Sequence, residues 1–181
     1  MSKLFGENDE GNPFNEYISK WDVSNVVDMS SMCVTCSNFD QELSKWNVSK
    51  VKKMNSMFSE CEKFKQDISK WNVSNVQDMG RMFFDCKTFN QPLGTWNVSK
   101  VQCMSAMFYS CEIVNQDLSG WKTNNVSNSE YMFWGAKSLN YPIYNWNWIF
   151  AANNNFDQMF NGATIILNDY KGSLDYWTDY S

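Results

Sequence analysis

Trp71-Asn72-Val73-Ser74-Asn75-Val76-Gln77-Asp78-Met79-Gly80-Arg81-Met82-Phe83-Phe84-Asp85-Cys86-Lys87-Thr88-Phe89-Asn90-Gln91-Pro92-Leu93 is the stretch that decides how this chain folds. Its tryptophan recurs at Trp21, Trp46, Trp96, Trp121 and Trp146, always at a step of 25 residues. Its neighbours keep the same step. Two positions after each tryptophan stand Val23, Val48, Val73 and Val98, then Thr123 and Trp148. Five after stand Val26, Val51, Val76, Val101 and Val126, then Ala151. Eight after come Met29, Met54, Met79 and Met104. Eleven after come Met32, Met57, Met82, Met107 and Met132, the last four each followed by a phenylalanine, Phe58, Phe83, Phe108 and Phe133. Fifteen after come Cys36, Cys61, Cys86 and Cys111, then Ala136; eighteen after come Phe39, Phe64, Phe89, Val114 and Leu139. Ile18, Leu43, Ile68, Leu93, Leu118 and Ile143 stand three before. Columns this synchronous define a tandem array of six units. None of these units is large enough to bury its own apolar face, so neighbours must stack.

Spacing converts the columns into expected structure. The W-x-V portion has period two and is rich in β-formers, which predicts a short strand such as Lys70–Ser74. Val76, Met79, Met82, Phe83 and Cys86 follow at steps of three and four, which predicts a short helix. Ser24, Ser49, Ser74 and Ser99 precede that run as candidate N-caps, and Gln77 and Gln102 complete a capping-box pattern. Phe89–Pro92 then turns the chain back. The expected fold is an α/β repeat solenoid with one parallel strand and one helix per turn. Residues 1–20 read as an N-terminal cap with a partial repeat, 21–163 as the array, and 164–181 as a C-terminal cap with Tyr170, Tyr176, Trp177 and Tyr180 covering the open core. In the last unit Asn153, Asn154 and Asn155 replace the regular pattern, and Met159-Phe160 restores it two residues late.

The bounds exclude several classes of function. The net charge is −5 and the pI near 4.7, against the basic footprint that nucleic acid or an anionic membrane requires. There is no histidine, the commonest general base and nitrogen ligand. No stretch approaches the apolar length of a membrane span. Met1 to Gly11 is polar and acidic, without the apolar core of a secretory signal. The expected location is the cytoplasm or a virion, with surface exposure only if a signal has been removed.

The columns resemble the BspA-like branch of leucine-rich repeats, the tandem surface-protein repeat found in bacterial lipoproteins and in some protist and large-virus proteins. The shared signature, W-N-V-S-x-V-x-x-M-x-x-M-F-x-x-C-x-x-F-N-Q-x-L, is clearest from Trp71 to Leu93, and the likeness runs from about Phe14 to Ala163. The resemblance implies a leucine-rich-repeat-like solenoid, a role in attachment or protein–protein contact, and no catalytic activity. Members are often secreted or lipid-anchored.

The cysteine ladder is expected to pack as small buried hydrophobes, since helical sides of neighbouring turns would stand about 8–10 Å apart, too far for disulfides. Cys33 and Cys36 form one C-x-x-C without the second pair that zinc needs. The methionines read as core. The tryptophans, in the leucine position, are expected to point inward rather than to form a sugar-stacking strip. Four N-x-S sequons, at Asn47, Asn72, Asn97 and Asn125, read as an asparagine ladder with serine caps rather than as glycan sites. Glu42, Asp67 and Asp117 share a turn column and do not converge on a catalytic pair.

The binding candidates are the residues either side of the tryptophans: Lys20, Asp22, Lys45, Asn47, Lys70, Asn72, Asn97 and Lys122. They are expected to face solvent and to contact a protein partner. The expected function is a non-enzymatic structural or interaction module, a component of a larger particle such as a virion, with no cofactor or metal. The alternative is a cell-surface adhesin or carbohydrate-binding module.

Overall fold

The computed structural model describes residues 4–5, 12–141, 146 and 158–163. The turns are numbered from their tryptophans: turn one is 21–45, turn two 46–70, turn three 71–95, turn four 96–120, turn five 121–145, and turn six starts at 146. The expected C-terminal cap at 164–181, and Ile143, Trp148, Ala151 and Asn153–Asn155, lie outside the described residues.

Each turn is a closed series of tight bends. In turn three the Val76 amide donates to the Val73 carbonyl at 2.9 Å, Met82 to Met79 at 3.1 Å, Cys86 to Phe83 at 3.1 Å and Phe89 to Cys86 at 3.3 Å. Trp71 donates to Ile68 at 3.0 Å. Every one of these bonds joins a residue to the third before it, as in β-turns, and both partners belong to the apolar columns. The step of three that predicted a helix is therefore a step between turn corners. No α-helix occurs among the described residues. The expected helix from Val76 to Cys86 is corrected to this run of turns, and Ser74 and Gln77 cap nothing. Ser74 instead receives the Asn72 side chain on its backbone N–H, and Gln77 donates its N–H to the Lys52 carbonyl.

Alternate amides from Met79 to Asp85 point to the next turn. Met79, Arg81, Phe83 and Asp85 donate to Cys103, Ser105, Met107 and Tyr109 at 2.8–3.0 Å. Parallel pairing joins Asp28 to Lys53, Lys53 to Asp78, Asp78 to Cys103 and Cys103 to Asn128. The ladder thus runs seven or more residues after each tryptophan. It does not run through Lys70–Ser74, where the strand was expected.

The ladder has a conformational cost. Arg81 and Asp85 have φ of +56°, and the equivalent Ser31, Thr35, Ser56, Glu60, Ala106, Ser110 and Tyr131 lie between +50° and +62°. Left-handed backbone costs an L-residue on the order of 1–2 kcal/mol. The two inter-turn bonds flanking each such residue offset it. At the same place turn five uses Gly135, where φ is +70° and no Cβ is strained.

β-type stacking sets the turns about 4.8 Å apart, closer than the helical spacing expected above. Aromatic columns close on one another accordingly. Phe83 stacks on Phe58 at 5.9 Å and on Phe108 at 5.7 Å, and within its own turn on Phe89 at 4.0 Å. Trp46 and Trp71 lie 6.4 Å apart and within 5° of parallel. The five tryptophans from Trp46 to Trp146 are 2–4% exposed, which places them in the core. Each indole N–H reaches the carbonyl 28 residues earlier, as Trp71 reaches Leu43 at 2.9 Å and Trp121 reaches Leu93 at 2.9 Å. Trp21 has no full turn before it and is 39% exposed.

At the N-terminal end Phe5 stacks on Phe14 at 3.7 Å, and Phe14 on Phe39 at 6.0 Å. The Phe5 and Asn12 amides donate to the Met32 and Thr35 carbonyls at 3.0 Å. These contacts cover part of an otherwise unpaired edge. At the other end Phe133 donates to Met159 at 2.9 Å, two residues later than the regular step, as the Met159-Phe160 pair anticipated.

Candidate interaction surface

The tight turns sort the residues around each tryptophan. The corners Ile68, Trp71, Val73 and Val76 turn inward and are buried, which leaves the residues between them outside. Lys20, Asp22, Lys45, Asn47, Lys70, Asn72, Asn97 and Lys122 are all exposed. The stacking brings Lys20, Lys45 and Lys70 into one row and Asp22, Asn47, Asn72 and Asn97 into another. Lys45 and Lys70 have no hydrogen bond or ion pair among the described residues. Lys20 lies over the Tyr17 ring, 5.9 Å from its centroid.

The asparagine row does not form the ladder expected of it. Asn47, Asn72 and Asn97 each accept the backbone N–H two residues on, at 3.2 Å, closing a local Asx turn. Asp22 does the same toward Ser24 at 3.0 Å, and hydrogen bonds from the Ser24 hydroxyl and amide hold its carboxyl below the ordinary value. The side-chain ladder lies elsewhere, in the Phe-Asn-Gln segment. Asn115 accepts the Asn140 amide at 2.9 Å, Asn90 accepts that of Asn115 at 2.8 Å, and Gln66 and Gln91 reach back to the carbonyls of Asp40 and Lys65. That column recurs every 25 residues, and its polar content was the available signal.

Glu42, Asp67 and Asp117 stay apart, each engaged in its own bend. Asp67 accepts from Ser69 and Asp117 from Ser119, both at 2.9 Å, and Glu42 accepts the Ser44 hydroxyl at 2.8 Å. The hydrogen bonds from Ser69 and Ser119 hold the Asp67 and Asp117 carboxyls low.

All six cysteines are free thiols. Cys61, Cys86 and Cys111 donate to Cys33, Phe58 and Phe83 carbonyls at 2.9 Å, and burial pushes all three thiols up. Turn spacing is thus not what keeps them apart; each thiol is occupied by a carbonyl of the preceding turn. Cys33 and Cys36 share a hydrogen bond that lowers Cys36 and raises Cys33. Among the described residues no group of three or more acidic or cysteine side chains is placed to hold a metal ion. No helix among them is long and apolar enough to cross a membrane.

One surface feature escaped the sequence reading. Thirteen residues after their tryptophans stand Phe84, Tyr109 and Trp134, half-buried and stacked in parallel on the outside. Their centroids are 4.6 and 4.5 Å apart, and the Arg81 guanidinium lies 5.0 Å over Phe84.

The family model described as "Mycoplasma protein of unknown function, DUF285" matches residues 1–113 and 70–173. The chain belongs to the DUF285 family. No curated protein matches it. Among solved structures this DUF285 chain is similar to a leucine-rich repeat protein of T. pallidum, at 13% identity and a TM-score of 0.43, over 68% of this chain and 65% of that one. It is similar too to a leucine-rich repeat protein from Bacteroides ovatus, at 14% identity and a TM-score of 0.37, over 60% of this chain and 32% of that one. The DUF285 chain therefore spans a little under two thirds of the first protein's length and under one third of the second's. Its solenoid character rests on its own ladder of bridges.

Proposed function

We propose that this DUF285 solenoid is a non-enzymatic scaffold for protein–protein contact. One observation carries the reading. The interior is filled by stacked side chains, while rows of exposed polar residues repeat along the outside at the turn spacing, with Lys45 and Lys70 making no hydrogen bond or ion pair among the described residues. A rigid array of this kind presents an extended surface, and lysines held in a row supply charge for steering a partner.

The finer reading is a component of a larger particle such as a virion, working inside a cell or particle. Six free thiols support a reducing compartment. Treating the native extract or intact particles with a lysine-reactive cross-linker tests the proposal. Cross-links from Lys20, Lys45, Lys70 or Lys122 to one defined second protein are expected. A chain that stays monomeric, with no intermolecular cross-link, contradicts it. The alternative is a surface adhesin or sugar-binding module. It has less support, because Trp46 to Trp146 bury their rings in the core and commit their N–H groups to carbonyls. Specific, saturable binding on a glycan array would favour it instead.

A further inference from the structure

The outer aromatic strip is built differently from the inner columns. Phe84, Tyr109 and Trp134 stack face to face, with interplanar angles of 10° and 7°. Stacking takes both faces of Tyr109 and one face each of Phe84 and Trp134, and turns the ring edges outward. Ring edges carry the positive end of the aromatic quadrupole. Two further donors lie on the strip, the Tyr109 hydroxyl, which can also accept, and the Trp134 indole N–H. Neither the Tyr109 hydroxyl nor the Trp134 indole N–H has a hydrogen-bond partner among the described residues.

Arg81 closes one end of the strip. One face of Phe84 is taken by Tyr109, so the guanidinium lies on the other, toward turn two, where the aromatic position is held by the small Ser59. At the far end the corresponding place in turn six is held by Asn161, which is exposed. The strip is therefore finite, three rungs and a cation. Two carboxylates next to it in the chain are already matched: Asp85 pairs with Lys87, and Glu112 with Lys137 at 2.9 Å. Arg81 has no ion pair among the described residues.

From this geometry we infer that the strip from Arg81 through Phe84 and Tyr109 to Trp134 docks an extended acidic segment of another protein. The charge argument selects the occupant. A guanidinium, an indole N–H and three positive ring edges call for carboxylate and carbonyl oxygens, and the phenol O–H can donate to them as well. The ladder of 4.5–5.0 Å contacts from Arg81 to Trp134 is a length that roughly four extended residues cover. A sugar would find one ring face here, that of Trp134, and not a row of them, because both faces of Tyr109 are stacked. The inference rests on the protein-contact function proposed above and names the chemistry of one partner.

Fluorescence anisotropy of the full chain tests it, using a labelled peptide of alternating glutamate and leucine, its lysine–leucine counterpart, and a neutral β-linked glucose oligosaccharide. Saturable binding of the acidic peptide is expected, weaker at high salt, and none of the lysine peptide. Arg81→Gln and Trp134→Ser should each weaken it by roughly tenfold. Tyr109→Phe, which keeps the stack and removes only the hydroxyl, should weaken it by a smaller factor, with the urea midpoint unchanged. Lys100→Ala, at a lysine that donates to Asn75 and lies outside both the strip and the lysine row, should leave it intact. Equal binding by wild type and Arg81→Gln, or no binding at all, would overturn the inference. So would oligosaccharide binding that Trp134→Ser abolishes. If cross-links through Lys45 or Lys70 persist while the strip variants bind the peptide unchanged, the strip assignment fails and the scaffold function stands.

Discussion

In turn three every inward column holds an apolar side chain: Val73, Val76, Met79, Met82, Phe83, Cys86 and Phe89 are all at most 1% exposed. Turn five follows the same path with Thr123, Val126, Ser129, Met132, Phe133, Ala136 and Leu139 in those places. Thr123 and Ser129 are completely buried, and neither hydroxyl finds a hydrogen-bond partner. A buried hydroxyl without a partner costs about 1–3 kcal/mol. Turn five is held nonetheless, by the Phe108–Phe133 and Trp121–Trp146 stacks at 5.6 and 5.8 Å and by backbone bonds to turn four. The difference teaches that the ladder and the aromatic columns carry the fold, and that the valine and methionine columns can be eroded near an end.

The largest effect should come from removing a central ring. Trp71→Ala is expected to cost about 3–5 kcal/mol in urea unfolding, through the cavity and the orphaned Leu43 carbonyl. Trp21→Ala, at a partly exposed ring, should cost far less; equal losses would break the link between stacking and stability. Importing turn five's erosion into turn three comes next. Met79→Ser should cost about 2–5 kcal/mol. The reverse change, Ser129→Met, should gain about 1–2 kcal/mol by filling the column and removing an unpaired hydroxyl. A loss on Ser129→Met would mean that turn five is already filled and the comparison is mistaken.

The left-handed corners give a smaller contrast. Glu60, with φ +62°, sits where turn five has Gly135. Glu60→Gly should change stability by less than about 1 kcal/mol, the relief of left-handed strain balancing glycine's entropy. Glu60→Val should destabilise by more, and thermal unfolding of the two variants would separate them.

The smallest effect is that of pH. Asp22, Asp28, Asp67 and Asp117 are all held below their ordinary values, first by serine hydrogen bonds. Groups lowered in the folded state add stability that is present above about pH 4 and is lost as pH falls through the folded value. The urea midpoint should therefore be flat from neutral pH to about 5 and fall below about 4. Asp67→Asn keeps an Asx acceptor, as Asn47 and Asn72 do, and should reduce the slope.

The period, the inward tryptophans and the late register of Met159-Phe160 were legible because burial repeats with the chain. The local conformation was not. Steps of three and four between Val76, Met79, Met82, Phe83 and Cys86 fit a helix, yet they equally mark the first and last residues of β-turns. Gly80 inside the run, and Gly135 where other turns carry left-handed residues, were the signals that favoured turns. The exposed residues beside the tryptophans were legible by the same alternation, though the Asx role of Asn47, Asn72 and Asn97 was not. The outer strip was missed because only turns three to five carry aromatic residues there, beside Val34 and Ser59.

Stacked turns, not helices, fill the side of the solenoid that bears the Phe84–Tyr109–Trp134 strip. Backbone NMR over Val76–Cys86 tests it most directly, through Cα shifts and amide–Hα couplings. The turn-built ladder predicts an interrupted pattern with left-handed signatures at Arg81 and Asp85. An unbroken run of right-handed helical shifts across those residues would contradict it.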